Sequence, residues 1–350
     1  MPIFGAEGMG VDLGSMNTTI FLNSEGEVIL REPTRVLLNA ENMTDVLCVG
    51  AEARAMSGRA GDRAVLVSPV QQGAVGDVEM AALVMVALAE KATERKKPMD
   101  KATLVTNLTG GASKVERAAL FQAMNATGAK KVAAVRAPVA AAIGADVDIS
   151  RPKGRLIVTL GGGVSEIAVL SMSGIAALRT LRYGGQDMDE AIVRWFWREN
   201  GLVIGMRTAE QIKREIGTVS EENIDPAEDP VLLRGKNAAT GKPMSLQITP
   251  VDVKKALDEP IRRLVDAVKS ALYNVPAEMA SDIRDEGILI SGGGALLDGL
   301  DKRLEKETGL DVRMSAHPED DTAIGLGAAA ADDRLLSGLI RAGAAETTGE

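Results

Sequence analysis

The chain has few of the side chains that most often carry protein chemistry. Its 350 residues include one cysteine, Cys48, and one histidine, His317. A lone cysteine cannot close an internal disulfide, which excludes a disulfide-stapled secreted fold. A lone histidine excludes a multi-histidine metal site and leaves little scope for histidine acid–base catalysis. We expect Cys48 to be a small buried hydrophobe and His317 to lie on the surface or in a loop.

Aromatic residues and positive charge are also scarce. Phe, Trp and Tyr make up 2% of the chain, so the core must consist mainly of Ala, Val, Leu, Ile and Met. A net charge of −9 argues against a nucleic-acid binder, because such proteins need a basic face and often aromatic stacking. The longest apolar run, near residues 80–89, is too short to cross a bilayer, and the N-terminus lacks a signal-peptide pattern. We therefore expect a cytoplasmic protein that binds no nucleic acid.

The length and the order of segments predict an α/β protein with two lobes. A chain of 350 residues exceeds what one core usually supports, at about 100–200 residues per domain. Strand-like and helix-like segments alternate along it, which is typical of α/β architecture. Ser113 and Glu116 form a capping box before one helix, and Gly128 is placed to end it. We expect residues 219–248 to be an exposed elaboration between helices.

Thirty-seven glycines are present, and three glycine turns follow strand-like segments. They lie at Gly10–Thr19, Ile157–Glu166 and Ile288–Leu297. Glycine lets the backbone approach an anion, and successive N–H groups then point at it. Neither GxxxxGK[ST] nor GxGxxG occurs, so P-loop and Rossmann sites lose support. Any one turn alone is compatible with simple chain reversal, but two hydroxyl-bearing turns from two chain halves suggest a triphosphate held between two lobes.

Further segments carry a family resemblance. They are PVAAAIGAD at Pro138–Asp146, GGQDMDEAIV at Gly184–Val193, GLVIGMRTAEQIKREIG at Gly201–Gly217 and ISGGGALLDGLDKRLEKETGLDVR at Ile290–Arg313. With the three turns, in this order, the chain resembles the MreB/Mbl-type bacterial actins, within the superfamily of actin, sugar kinases and heat-shock chaperone ATPases. The similarity extends from about Gly10 to about Asp333.

The resemblance implies a two-lobed actin-like ATPase fold, in which each lobe is a mixed β-sheet flanked by helices and a nucleotide cleft lies between the lobes. We expect the first lobe over residues 1–147, with a small insertion near 30–75. The second lobe is expected over 148–335, with an insertion near 185–250 and a last helix that returns to the first lobe. Residues 336–350 are expected to form a flexible tail.

The resemblance also implies roles for individual residues. Asp12 should approach the Mg²⁺ of bound ATP or ADP through water, since Mg²⁺ dehydrates reluctantly. Phosphates should contact the first turn at Gly14, Ser15, Met16 and Asn17, and the second turn at Gly161, Gly162, Gly163 and Val164. The adenosine should contact Glu210, Gln211, Ile212 and Lys213, and the third turn should close over it with Gly292, Gly293, Gly294, Ala295 and Leu296.

Two positions depart from the family pattern. Thr159 stands where the second phosphate loop usually begins with an Asp that organises Mg²⁺. Ala137 stands where an MreB usually has a Glu that positions the attacking water. Phosphoryl transfer depends on such positioning and electrostatics, so their loss predicts weak or absent hydrolysis. We also consider that Arg136 compensates in part by touching the γ-phosphate.

The family context implies self-association into filaments that support cell shape and cell-wall elongation at the inner membrane. Ile3 and Phe4 are too few for an amphipathic membrane helix. The basic loop Glu94–Lys101, with Met99 as its main apolar residue, is a weak candidate anchor through Arg95, Lys96 and Lys97. A solvated lysine-rich loop explains it equally well. In the run Trp195–Trp197, helical geometry predicts that one ring packs inside and another is exposed, as a contact surface or in packing between helices.

Other functions remain open within the superfamily. A sugar kinase would need a catalytic Asp beside a sugar-binding lobe, and no such constellation is evident. A chaperone ATPase would need a β-rich substrate domain, which we do not expect after residue 350. A non-filamentous nucleotide-sensing adaptor fits the altered catalytic positions as well as a stable filament does.

Overall fold

A computed structural model describes residues 7–56, 59, 61–225 and 229–348. Strands and helices are numbered below in chain order. Ile3 and Phe4 lie outside the described residues.

The first large sheet has six strands. They are β1 (Gly8–Leu13), β2 (Asn17–Leu22), β3 (Glu27–Pro33), β9 (Thr103–Leu108), β10 (Lys131–Arg136) and β19 (Ala345–Thr347). Their order is β19-β10-β9-β1-β2-β3. β1 pairs with β2 in antiparallel fashion and with β9 in parallel, so the sheet is mixed.

The second large sheet has five strands and repeats the arrangement around β1. Its central strand pairs with the next strand in antiparallel fashion and with a later strand in parallel. The strands are β11 (Arg155–Leu160), β12 (Ser165–Ser171), β13 (Gly174–Leu181), β17 (Ile288–Ser291) and β18 (Val312–Arg313). Their order is β13-β12-β11-β17-β18. Each half of the chain therefore carries a strand–turn–strand unit at the centre of its own sheet.

Three smaller sheets complete the β structure of the described residues. The segment 219–248 is more regular than its polar composition suggests, because it contains an antiparallel hairpin. The small sheets comprise β4 (Val36–Asn39), β5 (Val46–Val49) and β6 (Ala64–Val67), then β7 (Val70–Gln71) and β8 (Ala74–Val75), then β14 (Leu202–Val203), β15 (Val231–Asn237) and β16 (Pro243–Ile248).

The helices cover the sheets and connect them. The capping box that we expected at Ser113 and Glu116 is present, and Gly128 has the positive φ of +84° that suits it to follow a helix end. The α-helices are α1 (Gly50–Ala55), α2 (Val78–Thr93), α3 (Lys114–Ala126), α4 (Ala137–Gly144), α5 (Gly185–Asn200), α6 (Met206–Ile216), α7 (Pro250–Tyr273), α8 (Ala277–Glu286), α9 (Leu300–Thr308), α10 (Asp321–Ala331) and α11 (Asp333–Arg341).

Aliphatic side chains fill the interior, as the composition predicts. Two buried clusters each belong to one large sheet with its helices. A third cluster joins them, because α4 and α10 bring Val139 and Leu326 against Ile157 of the second sheet and Val105 of the first. The two lobes are thus connected through packed helices.

α4 and α10 cross backbone to backbone. A Cβ atom added at Gly144 would lie 1.8 Å from the carbonyl oxygen of Asp321, and one added at Gly325 would lie 1.9 Å from that of Ala140. Only glycine allows such an approach at either position. The crossing fixes the start of α10 beside the end of β1, at the rim of the cleft described below.

The expectation of a flexible tail over 336–350 is wrong for the part of it that the structure describes. Leu336 and Leu339 of α11 are buried, and β19 pairs with β10 in antiparallel fashion. The small polar composition of this segment misled the prediction, since backbone pairing and two buried leucines hold it in place. Within the described residues, none of the helices combines the length and apolar character that a bilayer crossing requires.

Candidate functional site

A cleft of about 620 Å³ lies where the central strands of the two large sheets turn. The turn between β1 and β2 borders it on one side, and the turn between β11 and β12 borders it on the other. The third glycine turn, after β17, and the helix α6 complete its wall.

The two facing turns have the same construction. The Gly14 N–H donates to the carbonyl oxygen of Asn17 at 3.0 Å, and the Gly161 N–H donates to that of Val164 at 2.9 Å. The turns also touch each other, since a Cβ added at Gly162 would lie 2.2 Å from Cγ of Met16. Two glycine turns held this close form a cradle in which backbone N–H groups can face an anion.

Most of the predicted site residues line the cleft. The exceptions are Gln211, which is exposed and donates to Glu215, and Ile212 and Ala295, which are buried in the second-lobe core. The predicted residues that do line it are Asp12, Gly14, Ser15, Met16, Asn17, Ala137, Thr159, Gly161, Gly162, Gly163, Val164, Glu210, Lys213, Gly292, Gly293, Gly294 and Leu296.

Asp12 lies at the end of β1 and is half-buried. Burial, reinforced by the negative charge of Asp320, raises the pKa of Asp12 to about 7. A carboxyl in such a place is stabilised in its charged form by a nearby cation. The position therefore suits a hydrated divalent metal ion better than it suits an unaccompanied carboxylate.

Several cleft residues were missed from the sequence. Glu166, on β12, lines the cleft but is 2% exposed; its Oε1 accepts the Gly110 N–H at 2.6 Å and the Thr180 hydroxyl at 2.9 Å. Burial raises the pKa of Glu166, and these hydrogen bonds oppose the rise. Asn107 accepts the Leu13 N–H at 2.8 Å. Asn107 holds the end of β1, and Glu166 links Gly110 to Thr180. The Glu that ends the GGGVSE run was the available signal.

Glu210 and Lys213 both face the cleft from α6, as their spacing predicts. They do not pair with each other. Glu210 forms an ion pair with Arg54 of α1, which comes from the first half of the chain. The Lys213 ammonium lies 2.7 Å from an Asp189 carboxylate oxygen and donates to the Gly185 carbonyl at 2.7 Å. Glu210 therefore contributes a bridge across the cleft, and Lys213 ties α6 to α5.

The two departures lie at the cleft wall. Thr159 is 7% exposed and Ala137 begins α4. Neither offers a charge to the cleft, so both positions lack the carboxylate that the family pattern has there.

The suggestion that Arg136 compensates is wrong. Its guanidinium donates to the Thr109 carbonyl at 3.1 Å and to the Glu346 carboxylate at 2.6 Å. Glu346 lies on β19, so the neighbouring C-terminal strand draws the side chain away from the cleft. Arg136 therefore secures the C-terminal strand.

The remaining candidate residues divide between core and surface. Met99 is 1% exposed, so the basic loop Glu94–Lys101 presents no apolar residue from that position for insertion into a membrane. Phe196 is fully buried and Trp197 is 57% exposed, as the helical geometry predicts. His317 is exposed in a loop, as expected. Cys48 is half-buried, so the prediction of a buried side chain is wrong.

Comparison with known proteins agrees with this architecture. The family model described as MreB/Mbl protein matches residues 6–337. This chain belongs to the MreB/Mbl family. Over 325 residues it is 35% identical to the cell shape-determining protein Mbl of Bacillus subtilis, covering 92% of this chain and 95% of that protein. Over 315 residues it is 33% identical to the cell shape-determining protein MreB of Escherichia coli, covering 89% of each.

Solved structures confirm the two-lobed actin-like fold. MreB5 of Spiroplasma citri bound to ADP superposes with a TM-score of 0.84 at 26% identity, over 91% of this chain and 94% of that one. The same protein bound to AMPPNP superposes with a TM-score of 0.88 at 24% identity, over 98% of this chain and 100% of that one. The MamK double helical filament superposes with a TM-score of 0.77 at 21% identity, over 93% of this chain and 98% of that one.

Proposed function

We propose that this protein is a bacterial actin-like cytoskeletal protein that binds an adenine nucleotide with Mg²⁺ and polymerises into filaments. The observation that carries the proposal is the pair of glycine turns, one from each lobe, that face each other across the cleft. The nucleotide-bound MreB5 structures and the MamK filament, which have the same fold, support it.

The turns suit phosphate groups because their glycines let backbone N–H groups approach an anion closely. Gly14 and Gly161 each use one N–H to close their turn, and the neighbouring residues remain at the cleft surface. A nucleotide whose phosphates lie between the turns would contact both lobes at once, so its binding would couple to their relative position. Glu210, Lys213 and the third turn would then adjoin the nucleoside.

Asp12 fits the Mg²⁺ that accompanies such a nucleotide. The carboxyl is half-buried and its pKa is raised by burial, so a divalent cation would restore its charged form. The cation would supply charge neutralisation for the phosphates. Asp12 would hold it through its water shell.

We further propose that hydrolysis is slow. Ala137 offers only a methyl group to the cleft, Thr159 offers only a hydroxyl, and Arg136 is committed elsewhere. The Glu166 carboxylate accepts hydrogen bonds from Gly110 and Thr180, so it connects the two lobes. Slow turnover favours long-lived filaments.

The membrane part of the proposal depends on charge alone. Arg95, Lys96 and Lys97 are exposed and can approach anionic headgroups, at about 1 kcal/mol each. One monomer would bind weakly, and a filament would multiply the contact. We propose that such filaments lie at the inner face of the cell membrane and support cell shape through the wall-elongation machinery.

High-speed sedimentation tests filament formation. We expect the purified protein to pellet with Mg-ATP or Mg-AMPPNP above a critical concentration, and negative-stain images of the pellet to show protofilaments. Without nucleotide the protein should stay in the supernatant. A protein that binds nucleotide, shown by a raised melting temperature, yet never pellets would be the non-filamentous adaptor. No rise in melting temperature would refute nucleotide binding, since a ligand at 100 times its Kd adds about 2.7 kcal/mol.

Phosphate release tests slow hydrolysis. We expect turnover at least about tenfold below that of an MreB that carries both carboxylates, since one catalytic group is worth about 10²–10³-fold. Ala137→Glu should raise the rate, because it returns a carboxylate to the start of α4. Ala145→Glu, just after the end of α4 at a position that does not itself line the cleft, serves as the charge control. Wild-type turnover equal to that of the reference MreB would contradict the proposal.

A further inference from the structure

Arg31 stands out among the charged residues of the cleft. Of the described residues that line it, three are cationic, namely Arg31, Lys213 and Arg214. Lys213 is held by Asp189 and Gly185, and Arg214 is 74% exposed on α6. Arg31 is the one contributed by the first lobe, and its role is not explained by the proposed function above.

Strand register places Arg31 in line with Asp12. Asp12 on β1 lies opposite Thr19 on β2, and Thr19 lies opposite Arg31 on β3. Directly opposed residues share one face of a sheet, and all three line the cleft. Neighbouring strands are about 4.8 Å apart, so the backbones of Asp12 and Arg31, two strands apart, are separated by about 10 Å.

The Arg31 guanidinium is held by two carboxylates that precede α10. Its Nη1 lies 3.2 Å from Oε1 of Glu319, and its Nη2 forms a close ion pair with Oδ1 of Asp320. The three side chains keep 35%, 22% and 16% of their surface exposed. Partly exposed ion pairs of this kind contribute only about 0–1 kcal/mol to stability, so a phosphate could displace the carboxylates at little cost.

Glu319 and Asp320 also bring negative charge to the end of β1. Thr159 gives the cleft no charge, whereas Glu319 lines it and Asp320 is close enough to Asp12 to raise its pKa. The backbone crossing of α4 and α10 fixes both at this rim. A cation and two exchangeable carboxylates thus flank the end of β1.

We infer that Arg31 is a phosphate-contacting residue of the cleft. In the absence of ligand, Glu319 and Asp320 hold its guanidinium. When Arg31 moves to the phosphate, the two carboxylates become partners of the divalent cation. This inference rests on the proposed nucleotide binding. It assigns to the cleft rim beside β1 a charge arrangement that offsets the missing carboxylate at Thr159.

Calorimetric titration of ADP and AMPPNP, each with Mg²⁺ and with EDTA, tests the inference. We expect Arg31→Gln to lower the affinity for both nucleotides about tenfold or more, because it removes a charge-assisted hydrogen bond. Arg31→Lys should recover most of the loss because it keeps the charge. Asp320→Asn should tighten binding in EDTA, because it frees Arg31, and should reduce the gain in affinity that Mg²⁺ confers.

The matched control is Lys91→Gln. Lys91 pairs with Glu32 at 2.5 Å, next to Arg31 on β3 but through a side chain that points the other way, to α2. The Lys91→Gln substitution should leave the affinities for ADP and AMPPNP unchanged. Arg31→Gln that lowers only the melting temperature of the ligand-free protein, with unchanged affinities, would overturn the inference in favour of a purely structural ion pair.

The remaining outcomes are also decisive. If Arg31→Gln fails to fold, Asp320→Asn keeps Arg31 and still tests whether the carboxylates change partners. If Mg²⁺ raises the nucleotide affinity of that variant as much as it raises that of the wild type, the role of the carboxylates is refuted. Wild-type protein that binds no nucleotide would refute the proposed function together with this inference. Wild-type binding with an unaffected Arg31→Gln refutes the inference alone.

Discussion

Gly162→Ala is expected to weaken nucleotide binding by about 10- to 100-fold. The added Cβ would lie 2.2 Å from Cγ and 2.7 Å from Cβ of Met16, far inside van der Waals contact. The two turns would have to separate, and overpacking of this kind costs about 1–3 kcal/mol. Calorimetric titration with AMPPNP and Mg²⁺ measures the loss, and a smaller ligand-induced rise in melting temperature should accompany it.

A second substitution should restore part of the binding. Met16→Ala removes Cγ, so the double variant relieves the closer of the two overlaps and should bind more tightly than Gly162→Ala alone. Non-additivity of this sign is the signature of a direct contact. Gly205→Ala is the control, because nothing lies within 4 Å of a Cβ added there. Wild-type affinity in Gly162→Ala would contradict the assignment of the facing turns to phosphate binding.

The sequence located the turns because turn chemistry is local. Glycines after a strand predict a close backbone approach, and the structure places both turns at the cleft. The same reasoning treated Glu210, Gln211, Ile212 and Lys213 as one block. On a helix successive residues are rotated by about 100°, so only the first and last of the four share the face toward the cleft. The prediction that Ala295 lines the cleft is wrong for a similar reason, since its methyl group packs into the core.

The misassigned and missed residues depend on long-range pairing. Arg136 turns toward Glu346, which is 210 positions later in the chain. Met99 is buried although its loop is basic, because composition does not reveal which side of a loop faces the core. Arg31 joins the site only through the register of three strands and the start of α10. No motif encodes these contacts, so sequence reasoning had no signal for them.

The low aromatic content acquires a structural explanation. The two facing turns and the α4–α10 crossing rely on residues without bulky side chains, and the clusters around them consist mostly of aliphatic residues. The cleft-lining residues of the described chain include no Phe, Trp or Tyr, so any base would be held by backbone and by the α6 face.

Asp12→Asn is expected to stabilise the ligand-free protein at pH 8 and to weaken its response to Mg-nucleotide. In the unfolded chain this carboxyl titrates near its ordinary pKa of about 3.9, whereas in the folded protein its pKa is about 7. Between these values the folded state holds a proton that the unfolded state has released. The free energy of unfolding therefore falls as the pH rises from about 4 to 7.

The size of the effect has an upper bound. About three pKa units at about 1.4 kcal/mol each give about 4 kcal/mol, and structural relaxation reduces this. Asparagine cannot ionise, so the variant lacks this slope. In EDTA we expect its urea midpoint to match that of the wild type near pH 4 and to exceed it at pH 8. Asp258→Asn removes one negative charge from an exposed position on α7 and should change neither midpoint substantially.

Mg-nucleotide should reverse the order of the two proteins. A divalent cation stabilises the charged form of Asp12, so the wild type recovers the free energy that its buried carboxyl costs and gains the binding energy as well. The variant retains only the contacts of the turns, and its melting temperature should rise less on addition of AMPPNP with Mg²⁺. Equal rises in both proteins would mean that Asp12 is not near the cation. A variant no more stable than wild type at pH 8 would mean that the carboxyl is better solvated than its burial implies.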